Sequence, residues 1–68
     1  MKISEVYNTS FSTVIVTDNK LPEKLLGNLV VIDNRKYKVT GVPTNDNYSF
    51  MIDEMENFKV GQKVEFIL

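Results

Sequence analysis

The stretch "VVIDNRKYKVTGV", residues 30–42, carries two runs rich in β-branched and aromatic residues separated by a short polar tetrad. Such runs suit half-buried strands, and a polar tetrad between them suits a tight turn. Leu29 to Asp33 and Lys36 to Val42 are therefore predicted to pair as an antiparallel hairpin through Asp33-Asn34-Arg35-Lys36. Asn34, and with it Arg35, tolerates the left-handed conformations that a two-residue turn demands. In the second strand Tyr37, Val39 and Gly41 share one face and Lys36, Lys38 and Thr40 the other, because successive side chains of a strand point to opposite sides. The Tyr37 face is apolar and is expected to point inward. A glycine inside a strand marks a bulge or sharp bend, so Gly41 is read as a corner, and Pro43 ends regular pairing.

The same grammar extends in both directions. Ile3 to Tyr7 begins a strand, "NTS" at Asn8 to Ser10 is a turn or bulge, and "FSTVIVT", Phe11 to Thr17, is a second strand. Phe11, Thr13, Ile15 and Thr17 fall on one of its faces and Ser12, Val14 and Val16 on the other. Apolar residues on both faces suit a strand at the closing seam of a barrel. "DNKLPEKLLGN" interrupts the pattern: Pro22 suits the first turn of a helix, Glu23 its positive end and Gly27 a left-handed stop, which predicts about one helical turn over residues 22–26. Beyond the hairpin, "PTNDN" reads as a loop, Tyr48 to Asp53 as a strand and "EMEN" as a loop or short helical turn. In the last segment, "FKVGQKVEFIL", Gly61 bends the chain, and Val64, Phe66 and Leu68 alternate with Lys63, Glu65 and Ile67. The expectation is an all-β chain, one domain over residues 1–68, built as a small antiparallel barrel of five or six strands.

Composition bounds what such a domain can do. A chain of 68 residues removes only about 60% of its unfolded surface from water, so its stability is modest. It has no cysteine and no histidine, which removes disulfides, the usual zinc ligands and the common nucleophilic triads. "MKISEVYN" has no apolar run suited to a signal peptide or membrane span, so a soluble cytoplasmic protein without membrane contact is expected. The net charge of -1 argues against coating nucleic acid by bulk charge. The charge is nevertheless zoned. Between Lys20 and Lys38, five basic residues face Glu23 and Asp33, a balance of +3, while Asp46 to Glu56 carries four acids and no base, a balance of -4.

The order of segments resembles the second domain of elongation factor Tu and related translational GTPases, a small β-barrel. The resemblance runs through "ISEVYNTSFSTVIVT", "LLGNLVVI", "YKVTGV" and "FKVGQKVEF", nearly the whole chain. It implies a barrel fold. "SFST" stands where that family has a glycine-rich turn, Asp18 where a glycine is usual, and Asn28 and Gln62 where an aspartate is usual, so no functional residue is carried over. No glycine-rich lysine-serine phosphate loop is present, which excludes a GTPase.

Two binding surfaces and two weaker chemistries remain. Arg35 and Lys36 at the hairpin tip and Lys38 on the outward face, flanked by Lys20 and Lys24, can meet the phosphates of RNA or a ribonucleoprotein, with Tyr37 or Tyr48 stacking on a base if exposed. The alternative is a protein partner held by Asp53, Glu54 and Glu56, or by an apolar patch around Met51, Met55 and Phe58. Self-association through an exposed edge strand is related to it. An acid–base pair drawn from Asp53 with Glu56 or Asp46 lacks a spacing that sets two carboxylates across a cleft, and the acidic stretch lacks the central glycine of a calcium loop. The expectation is a non-enzymatic binding module without a cofactor.

Overall fold

The computed structural model describes residues 1–43 and 47–67. Six strands form one antiparallel sheet: β1 (Ile3–Asn8), β2 (Thr13–Thr17), β3 (Leu29–Ile32), β4 (Arg35–Gly41), β5 (Ser49–Ile52) and β6 (Val64–Ile67). Their spatial order is β1-β2-β5-β4-β3-β6. The expected loop over residues 43–47, Asp46 and the place of Leu68 in the last segment fall wholly or partly outside the described residues.

The β3–β4 hairpin forms as its sequence dictates, with Leu29 opposite Lys38 and Ile32 opposite Arg35. Its turn is Asp33-Asn34, at φ of 53° and 67°. Two successive left-handed residues match the twist of a two-residue hairpin, and after glycine Asp and Asn tolerate them best. Arg35 is thus the first residue of β4 and not part of the turn. Gly41 sits at the expected irregularity: β4 pairs with β5 at Val39–Ile52 and Gly41–Met51, leaving Thr40 as an extra residue. The Met51 Sδ lies 3.3 Å from where a Cβ on Gly41 would stand, so the two strands approach closely there.

Three expectations are corrected. No helix forms among the described residues, and 22–26 is a loop in which Lys24 takes φ 61°. The residues flanking it bond instead to distant partners and a local turn: Leu21 N donates to Asn47 O (2.6 Å), Asn28 N to Leu25 O (2.9 Å) and Gly27 N to Val39 O (2.9 Å). A single turn is costly to nucleate, and these tertiary bonds win while Leu21 and Leu25 are driven into the core. The second strand begins at Thr13 and not at Phe11, which is the exposed tip of the β1–β2 hairpin. Finally, the seam is not at β2, which lies between β1 and β5.

The seam lies between β1 and β6, and the sheet is not closed along it. The two strands meet at one end only, in a bridge between Lys2 and Lys63. There Ile3 N donates to Gln62 O (2.9 Å), Val64 N to Met1 O (2.9 Å) and Gly61 N to Ile3 O (2.8 Å). Just beyond, the β1–β2 register shifts between Ile3 and Glu5, making Ser4 an extra residue. Such a bulge bends its strand, and β1–β6 pairing stops there. Inside, Ile3, Ile15, Val30, Ile32, Val39, Phe50, Ile52 and Val64 form the core, with Leu21 and Leu25 covering one end. Phe50 packs edge-to-face on Phe66 at 5.3 Å. Val6 and Phe66, on either side of the open seam, pack against this core but remain partly exposed.

Candidate interaction surface

The alternation in β4 places Lys36 and Lys38 outward, both exposed, and Tyr37 inward and buried. Cross-strand pairing sets Lys38 beside Leu29 and Ile67, and Lys36 beside Val31 and Glu65. Arg35 has the parity of Tyr37 and turns to the end of the sheet, where its Nη1 lies 2.8 Å from Glu56 Oε1. The Tyr37 hydroxyl donates to the other Glu56 oxygen. Tyr37 also packs edge-to-face on Phe58 at 5.3 Å. The loop after β5 is thereby strapped across the mouth of the sheet. Burial first, and the Glu56 hydrogen bond second, raise the Tyr37 phenol above its ordinary value.

This arrangement divides both expected sites. Arg35 of the basic set and Glu56 of the acidic set neutralise each other. Lys20 and Lys24 belong to the β2–β3 connection, whose Gly27 and Asn28 bond to Val39, at the end of the β3–β4 hairpin opposite its turn. They do not join Arg35. Asp53 is occupied by Thr40, whose hydroxyl donates to its Oδ1 (3.1 Å), and the Glu54 carbonyl accepts from the buried Thr13 hydroxyl (2.8 Å). The Glu54 side chain is exposed. Among the described residues no group of three acids is placed to hold a metal ion. The cleft beneath the strap, lined by Ile32, Arg35, Tyr37, Glu56, Phe58 and Gln62 among others, encloses about 240 Å³, below the usual size of a small-molecule pocket.

The structure also exposes what the strand pattern concealed. In the β1–β2 hairpin, Thr9 Oγ1 accepts from Phe11 N (3.3 Å) and Ser12 N (3.0 Å), and Thr9 N donates to Ser12 O (2.8 Å). This hydroxyl-capped turn buries Ser12 and leaves Phe11 81% exposed. Tyr7, on the outer face of β1, is 55% exposed, and its hydroxyl donates to Glu5, which raises its titration range. The legible signal was "NTSFS", where side-chain oxygens crowd the turn and compete with the ladder. Met55 is exposed, whereas Met51 and Phe58 are only partly so. No helix is long and apolar enough to cross a membrane among the described residues. No family model, curated protein or solved structure matches the chain.

Proposed function

We propose that the chain is a non-enzymatic interaction module, a small cytoplasmic barrel open along one seam, that binds a protein partner through its β1–β2 hairpin. The observation that carries this reading is the exposure of two large aromatics, Phe11 at 81% in the turn and Tyr7 at 55% on β1, beside the β1 edge from Val6 to Asn8, which has no backbone pairing with β6 among the described residues. Exposed aromatics with an adjacent polar handle are the side chains most often found as anchors of protein interfaces. The RNA reading keeps Lys36 and Lys38, which lie outside the Arg35–Glu56 pair, but loses the free charge of Arg35, the clustering of Lys20 and Lys24, and Tyr37 as a stacking surface.

A comparative capture experiment separates the two. The wild type, Phe11→Asp, and a Lys36→Glu/Lys38→Glu variant are used as bait with and without nuclease, and each is titrated with short single-stranded RNA at two salt concentrations. The proposal expects nuclease-resistant capture that is lost in Phe11→Asp and kept in the lysine variant. Salt-weakened RNA binding that disappears in the lysine variant would overturn it, because phosphate contacts weaken as salt rises.

A further inference from the structure

We infer that the partner at this hairpin is a second copy of the chain, added edge to edge as an antiparallel β1–β1 pair centred on Val6. The inference rests on the reading above and names its occupant. The phase of the β1–β2 ladder decides which backbone groups are available. Thr9 N bonds to Ser12 O, and the register then runs Asn8–Thr13, Tyr7–Val14, Val6–Ile15, Glu5–Val16. In an antiparallel ladder hydrogen-bonded and non-bonded pairs alternate. Tyr7 and Glu5 therefore direct their N–H and C=O groups to β2, and Val6 and Asn8 direct theirs to the seam. Past the Lys2–Lys63 bridge no backbone pairing with β6 takes them up among the described residues.

Such an edge is normally blunted by lysine, proline or a bulge. The bulge at Ser4 bounds this one at its start, and from Glu5 to Asn8 there is no lysine or proline, with Glu5 the only charge. A two-fold axis through Val6 lets the two Val6 residues exchange both backbone bonds and sets Glu5 opposite Tyr7 of the second copy. The half-buried Val6 side chains meet on the inner face. An axis through Glu5 instead places two carboxylates directly opposite, which is destabilising. An axis through Tyr7 sets Val6 against the polar Asn8. The charge pattern thus selects one self-complementary register, as a two-fold interface requires.

The test uses substitutions that the ladder phase makes readable. Val6→Pro removes an N–H that β2 does not use, so it leaves the β1–β2 ladder intact, whereas proline at Tyr7 breaks it. Sedimentation velocity over a hundredfold concentration range is expected to show a monomer–dimer equilibrium for the wild type and monomer alone for Val6→Pro, with both giving the same circular-dichroism spectrum. Because the chain has no cysteine, a Glu5→Cys/Tyr7→Cys variant reports the register directly: mild oxidation should yield covalent dimer, and a Lys38→Cys control should not. A wild type that stays monomeric throughout, or a dimer that Val6→Pro leaves unchanged, overturns the inference. If Phe11-dependent capture of a different protein persists in that case, the hairpin reading survives; if it too is absent, both fall. Should Val6→Pro unfold, the cysteine pair decides alone.

Discussion

Removing the Glu56 carboxylate should destabilise the domain several-fold more than removing its ionic partner Arg35. The Arg35–Glu56 pair is well exposed, with side chains at 71% and 39%, and exposed ion pairs contribute about 0–0.5 kcal/mol. The Tyr37 hydroxyl, by contrast, belongs to a residue only 6% exposed, and leaving such a donor unsatisfied costs about 1–2 kcal/mol. For 68 residues the unfolding entropy is roughly 140 cal/mol/K, so Glu56→Ala should lower Tm by about 7–14 °C and Arg35→Ala by no more than about 4 °C. Tyr37→Phe removes donor and need together and should cost under about 1 kcal/mol. Combining it with Glu56→Ala should recover most of the loss, a coupling that a double-mutant cycle by urea denaturation measures. Equal costs for Arg35→Ala and Glu56→Ala, or no recovery in the double variant, would refute the claim that Tyr37 anchors the strap.

The same phenol makes stability fall at alkaline pH. Its folded titration point lies above the unfolded value of 10.0, so its contribution is complete below that value and is lost as pH rises through the raised one; Tyr37→Phe should remove this part of the decline in Tm measured from pH 9 to 12. Phe50→Ala should cost about 3–5 kcal/mol, enough to unfold much of a domain whose total stability is about 3–10 kcal/mol, whereas Phe11→Ala should change it by less than about 0.5 kcal/mol in the same urea titration. Gly27→Ala should cost about 1–2 kcal/mol although nothing stands within 4 Å of the added methyl, because φ of 84° is a left-handed conformation; chemical denaturation checks it.

Much of the strand layout was legible because alternation and turn chemistry act within a few residues. The β3–β4 hairpin, the buried face of Tyr37 and Val39, the irregularity at Gly41 and the left-handed backbone at Gly27 follow from local rules, although the turn sits at Asp33-Asn34 and not at Asn34-Arg35. The loop at 22–26 was misjudged because Pro22 and Glu23 carry a real helical preference that Leu21 and Leu25 override by entering the core. Phe11 was misjudged because β propensity extends a strand past the point where Thr9 has already capped the turn.

The candidate sites were legible only as types of residue. Lys36 and Lys38 point outward by alternation, so the sequence alone determined them. That Arg35 meets Glu56, 21 positions away, and that Lys20 and Lys24 lie at the opposite end of the hairpin were decided by the tertiary structure. The same holds for the open seam, which depends on where strands from the two ends of the chain stop pairing. Side-chain direction is a property of the adjoining peptide units, so one strand suffices to set it. Neutralisation and closure arise between segments far apart in the chain, and a strand carries no record of which neighbour it will face.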